Sequence, residues 1–251
     1  MYEYLIGIAI LAIIWAICYF VRKDLRKPMI WSGFAYLFVI VSYFLIWKMT
    51  SFFIPLGQPI VPTYWNPDTL FDLGRITGGL AIEDILFMIF AGGIATFIYE
   101  FSFGKRIVIR RTYHPHIRAI FIGYLVSFLV MFFAQPNPIY PLIAFGFAGA
   151  IVLWIDRRDL VIHSLVGGFG FLVIYGAAFL FFALFFSEFI LSTYSFSEIS
   201  GITFFGIPLE EFLYAFSFGL LWAPLYEYAH GERDAPLNVK KGYIPDNKSK
   251  E

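Results

Sequence analysis

Two adjacent acids, Glu83-Asp84, stand at the start of one long apolar run, and Glu210-Glu211 stand at the start of another. Carboxyl groups at the edge of a membrane-spanning segment are costly, and they are functional candidates for that reason. Capping is the competing role, because acids in a first helical turn complement the helix dipole and Pro208 suits a first helical position. Two copies of an adjacent pair exceed what capping needs. Glu83 shares a helical face with Phe87 and Phe90, and Glu210 shares one with Tyr214 and Ser217. A carboxyl above stacked aromatic rings suits protonation of an alkene, since ring faces stabilise the cation that forms.

The two pairs belong to a longer internal repeat. At an offset of 127 residues, Gly74 aligns with Gly201, Glu83-Asp84 with Glu210-Glu211, Gly92 with Gly219, and Tyr99-Glu100 with Tyr226-Glu227. Glu100 and Glu227 lie far down their helices and read as solvated ends paired with nearby bases. Asp156 and His163 read as helix-terminating residues. With one cysteine and no H-E-x-x-H, no metal site is expected, and no G-x-G-x-x-G suggests a nucleotide cofactor.

The elements that position these acids follow from composition. The 251-residue chain is 60% hydrophobic, 22% aromatic and only 14% charged, against roughly a quarter charged in ordinary soluble domains. The zero formal charge and abundant aromatics exclude a disordered chain and give no support to nucleic-acid binding. Apolar segments over about Tyr4–Val21, Ile30–Trp47, Leu80–Phe101, Ile117–Ala134, Ile139–Ile155, Leu160–Phe186 and Ile207–Tyr228 each approach the length of a spanning helix. The expected fold is all-α: a polytopic membrane protein with seven transmembrane helices in a 3+1+3 parallel internal repeat. Its units are a first three-helix repeat (1–101), a linker with the fourth helix (102–137), a second three-helix repeat (138–228) and a disordered tail (229–251).

Sixteen of the eighteen basic residues fall after the odd-numbered spans, leaving Lys48 and Arg75 on the other side. Basic loops stay cytoplasmic, so the N-terminus is expected outside and the C-terminus inside. The stretch from Lys105 to Arg118 is read as topology and lipid-headgroup contact rather than a nucleic-acid patch. Without a basic n-region before it, the first span is expected to be retained. Pro224 is expected to kink the last span. The proline-bearing segment from Lys48 to Gly79 either covers the outer mouth of a site or serves as an ordered connector.

On these residues the chain resembles the membrane-integral lycopene cyclase domain family of bacteria and archaea. That family opens a transmembrane helix twice with P-x-E-E or P-x-E-D followed by an aromatic. Pro208-Leu209-Glu210-Glu211 with Tyr214 fits the motif; Ala81-Ile82-Glu83-Asp84 with Phe87 departs from it by alanine for proline. The resemblance implies acid–base cyclisation of the ψ-ends of a linear carotenoid such as lycopene, without a cofactor. It makes Glu210 and Glu83 the proton donors or acceptors and Glu211 and Asp84 the residues that tune them. Phe87, Phe90, Tyr214 and Ser217 would then line the substrate. The partners implied are a carotenoid or polyisoprenoid and the bilayer, and self-association or contact with other carotenoid enzymes is compatible. A carotenoid hydratase uses the same protonation, and a carotenoid-binding membrane protein or a small-molecule transporter with parallel 3+1+3 repeats shares the architecture. A retinal receptor is disfavoured, because no lysine lies between Ile207 and Tyr228.

Overall fold

The computed structural model describes residues 3–54, 58–108, 116–134, 137–231 and 233–236. Pro55, the stretch from Arg110 to His114 and the tail from Leu237 onward lie outside the described residues. The chain is mostly helical. In order, its helices are α1 (Glu3–Val21), α2 (Arg26–Ser51), α3 (Ile60–Thr63), α4 (Leu73–Thr77), α5 (Ile82–Ser102), α6 (Arg118–Ala134), α7 (Ile139–Asp156), α8 (Val161–Phe185), α9 (Ser187–Thr193), α10 (Leu209–Trp222) and α11 (Leu225–His230).

Five of these helices are long and apolar enough to cross a membrane: α1, α2, α5, α7 and α8. Continuous apolarity rather than an amphipathic stripe explains them, since a helix with lipid on one side and protein on the other has no aqueous face. Phe20, Phe38, Phe133 and Val173 accordingly remain exposed on the outside of the bundle. Helix α6, at 17 residues, is shorter, and the last apolar segment is divided. Its break falls where Pro224, lacking an N–H, separates α10 from α11, as expected for proline inside a helix.

Glycines let four of the helices cross closely. A Cβ on Gly92 of α5 would stand 2.7 Å from the Ser32 carbonyl oxygen and 3.0 Å from the Gly33 Cα of α2. A Cβ on Gly219 of α10 would stand 2.5 Å from the Gly167 carbonyl oxygen and 2.9 Å from the Gly168 Cα of α8. The same contact between small residues therefore occurs at α2–α5 and at α8–α10, backbone against backbone. Close approach in a bilayer relies on such packing, because hydrocarbon tails are as apolar as leucine.

Two corners repeat in the same manner. Arg22 makes a bidentate pair with Asp24, at 2.9 and 2.8 Å, and donates to the Glu100 carbonyl at 3.1 Å. Arg157 does the same with Asp159, at 2.9 and 2.8 Å, and donates to the Glu227 carbonyl at 3.5 Å. Each arginine thus fixes the turn before a long helix and holds a backbone carbonyl, of α5 in one case and of α11 in the other. Paired forks of this kind carry geometric specificity that lysine would not supply. Strand β1 (Lys105–Val108) pairs antiparallel with β4 (Arg233–Pro236). Residues 233–236 of the segment expected to be disordered thus form one strand of a two-stranded ladder. A two-residue hairpin, β2 (Thr203–Phe204) with β3 (Ile207–Pro208), leads into α10.

Gly219→Val is expected to force α10 away from the α8 backbone and to cost about 1–3 kcal/mol. Thermal unfolding of the detergent-solubilised protein should fall by about 2–4 °C per kcal/mol lost. Gly176→Ala, whose Cβ meets only the edge of the Phe212 ring at 3.3 Å, should leave the midpoint nearly unchanged.

Candidate active site

Each motif-bearing helix places its two acids on different sides, because successive helical residues are about 100° apart. On α5, the Glu83 side chain turns toward the preceding loop, where its Oε1 accepts the Leu70 N–H at 2.8 Å. On α10, Glu210 Oε1 accepts the Ser200 N–H at 3.0 Å and the Tyr140 hydroxyl at 2.8 Å. These first acids of each pair therefore tie the preceding loops to the helix ends. The second acids, Asp84 and Glu211, face a cavity lined by the long helices and by the segments that precede α5 and α10.

That cavity holds about 660 Å³, within the range of small-molecule sites. Its wall is almost wholly aliphatic and aromatic, drawn from α1, α2, α5, α7, α8 and α10. Among the described residues that line it, Asp84 and Glu211 are the only carboxylates, and no Lys, Arg or His faces it. An apolar ligand without charged groups fits such a wall.

Tyrosines supply the polar partners. The Tyr4 hydroxyl of α1 donates to Asp84 Oδ1 at 2.5 Å, and the Ala81 N–H donates to Oδ2 at 2.8 Å. Asp84 thus also reaches back to the N-terminus of its own helix, the contact an acid at this position makes in a capping box. Tyr175 of α8 donates to Glu211 Oε2 at 2.6 Å, and Tyr64, just after α3, donates to Oε1. Tyr36 and Tyr214 share a hydrogen bond through their hydroxyls on the same cavity wall.

The segments that precede α5 and α10 meet over this end of the cavity. Trp65 bridges to Tyr194, the Asn66 N–H donates to the Thr193 carbonyl at 2.9 Å, and Tyr64 packs edge-on against Tyr194 at 5.4 Å. Of the two roles weighed for the segment from Lys48 to Gly79, covering the mouth is therefore the one its described residues perform. Burial, reinforced by the charge of Glu211, pushes the Tyr64 and Tyr194 phenols well above their ordinary range. Both loop tyrosines stay protonated at any physiological pH and can only serve as neutral hydroxyls.

Phe87 and Tyr214 line the cavity alongside the two acids. Phe90 instead packs on Trp15, at 5.8 Å between ring centroids, and the Ser217 hydroxyl bonds to the Tyr214 carbonyl of its own helix at 3.1 Å. The tyrosines on α1, α2, α8 and the loops were not singled out by sequence, because 16 tyrosines and 32 phenylalanines conceal five. The Arg-x-Asp corners had a legible signal: Arg22-Lys23-Asp24-Leu25 recurs as Arg157-Arg158-Asp159-Leu160.

At the opposite end of the motif segments, the structure corrects three expectations. Glu100 and Glu227 are fully buried rather than solvated, since the Arg22 and Arg157 corners cover the helix ends. His163 does not merely terminate a helix; it is buried, stacks on Tyr99 at 4.1 Å and brings Nε2 to 3.6 Å from Glu100 Oε1. Glu100, His163 and Glu227 offer ligand atoms that all lie within 4.8 Å of one another, so they form a set able to hold a metal ion, which the sequence did not lead one to expect. Asp156 does end α7, accepting from Tyr228 at 2.7 Å and Arg118 at 3.0 Å.

No curated protein and no solved structure matches the chain. A family model described as lycopene cyclase matches it in two segments, residues 2–102 and 137–229. Each segment carries one motif helix, one Arg-x-Asp corner and one acid that faces the cavity. These two segments make up well over half the sequence, and the chain belongs to the lycopene cyclase family.

Proposed function

We propose that this protein is a membrane-integral carotenoid cyclase that closes the ψ-ends of a linear carotenoid by acid–base chemistry alone. The observation that carries the reading is one apolar cavity of about 660 Å³ with Asp84 and Glu211 as its carboxylates. A carboxylic acid protonates the terminal double bond, and the tertiary cation is attacked by the neighbouring double bond. A carboxylate then removes a proton to leave the ring double bond. The product is an isomer of the substrate, so no oxidant or reductant is consumed. Aromatic walls, Phe87 and Tyr214 among them, stabilise the cation and exclude the water that would otherwise capture it.

Relative to the motif's sequence reading, the roles within each pair are exchanged. Asp84 and Glu211 carry the proton transfers, while Glu83 and Glu210 anchor the outer loops. The architecture we favour is seven spans in a 3+1+3 parallel repeat, with units over 1–101, 102–137 and 138–228. The doubled glycine crossing and the doubled Arg-x-Asp corner support it, as does a family match interrupted at α6. The asymmetry of the basic residues supports an outer N-terminus and places the cavity acids toward the outer face.

Expression in a lycopene-accumulating bacterium, followed by pigment analysis, tests this directly. The wild-type chain should convert lycopene to ring-bearing product; unchanged lycopene would sink the reading, and a hydroxylated acyclic product would make it a hydratase. Glu211→Gln should lower ring formation by about 10²–10⁴-fold, the range of a positioned acid or base. Glu83→Gln and Glu210→Gln, which keep an acceptor for the loop N–H groups, should each lose far less.

Tyr64→Phe removes one of the hydroxyls that donate to Glu211 while preserving the ring packing on Tyr194. Turnover should fall with little change in the amount of pigment bound. Equal loss of binding and turnover would make Tyr64 a packing residue only.

A further inference from the structure

A chain with two copies of one acidic motif and a substrate with two similar ends invites the idea of two active sites, one per half. The cavity says otherwise. Asp84 from α5 and Glu211 from α10 open into the same space, and it contains no other carboxylate among the described lining residues. Helices α5 and α10 also touch each other directly. The hydrogen-bonded Tyr36–Tyr214 pair, one residue from each half, lines the same cavity wall as the two carboxyls. Their partners differ: Asp84 is held by Tyr4 and its own helix terminus, Glu211 by Tyr64 and Tyr175. Two equivalent sites would be expected to have equivalent partners.

The geometry points to a single reaction chamber in which each half supplies one carboxyl of an acid–base couple that acts on one ψ-end at a time. This rests on the cyclase reading above and narrows its substrate class to any polyene that presents one ψ-end. The proton balance follows from the couple. One carboxyl gives its proton to the terminal carbon–carbon double bond, forming a C–H bond and a cation. The electron pair of the neighbouring double bond closes the ring. The other carboxylate then takes a proton from the ring, and its C–H electrons become the new double bond. The substrate is isomerised while one proton has passed between the carboxyls, and its return restores the resting couple. A second ring requires release and rebinding in the reversed direction.

The test compares Asp84→Asn, Glu211→Gln and an equal mixture of the two, each purified in detergent and supplied with lycopene. Both variants keep an acceptor oxygen for their tyrosine donors. One chamber predicts ring product at least ~100-fold below wild type in all three samples, because neither variant retains a complete couple. Two independent sites predict ring product from either variant alone, and that result would overturn the inference while leaving the cyclase reading intact. Loss of all rings in the wild type would overturn both. Wild-type protein guards against misfolded variants: geranylgeraniol, which carries a single ψ-like end, should saturate at one molecule per chain in competition with lycopene. Saturation at two would overturn the single chamber whatever the variants do.

Discussion

A carboxyl group inside a membrane protein has no water to bond, so every donor it needs must come from the chain itself. That constraint organises the half of this molecule around the cavity. Asp84 and Glu211 open onto an apolar cavity, and the polar contacts they make are phenol hydroxyls and, for Asp84, a backbone N–H at its helix start. Tyrosine suits the task because its ring belongs to the apolar wall while its hydroxyl satisfies the acid. A lysine or arginine in the same place would fix the acid as an ion pair, and it would set a cation where the proposed carbocation would form. The aromatic surplus of the sequence thus divides into two populations, one facing lipid and the other holding two acids in place.

Holding the acids depends in turn on how closely the helices approach. The α2–α5 and α8–α10 crossings are set by glycine against backbone, with a Cβ excluded on both Gly92 and Gly219. Hydrocarbon gives no hydrophobic drive to press helices together, so shape and polar contacts must do it. The Ser164 hydroxyl donating to the Leu220 carbonyl at 2.5 Å adds to the α8–α10 crossing, and the Trp222 indole donating to the Ser32 carbonyl at 3.1 Å ties α10 to α2. Loosening either crossing would widen the cavity on the side where an acid stands. Packing and chemistry are therefore the same problem at this position.

Much of this was legible in the sequence, and for definite reasons. Span boundaries were within a few residues because lipid enforces continuous apolarity; Ile139–Asp156 and Arg118–Ala134 begin and end nearly where the apolar runs do. The acid pairs and the Gly92–Gly219 correspondence were visible because repetition marks them. Which acid of each pair turns inward was not visible, since a rotation of about 100° separates neighbours and only the surrounding helices fix the rotation. Tyr64, Tyr175 and Tyr194 were equally hidden. They converge on Glu211 from a loop, a helix and another loop, and no spacing rule connects residues that distant in the chain. Ser217 and Phe90 share the expected helical faces, yet neighbouring helices cover those stretches.

The far ends of α5 and α11 meet the same constraint with the opposite solution. Glu100 and Glu227 occupy matching positions in the two motif segments and are buried like the acids at the other end, but here an imidazole and two arginine corners stand nearby. Charged and ionisable neighbours make a rigid junction, since separating them would strand a buried charge. Phenols make a site that is neutral until a proton moves. Each motif-bearing segment thus carries an acid toward either end, and the neighbours decide what each acid does. At one end His163 of one half stands beside Glu100 of the other. At the other end they leave two carboxyl groups on the wall of one apolar cavity, the arrangement that the proposed isomerisation, begun and ended by proton transfer, would require.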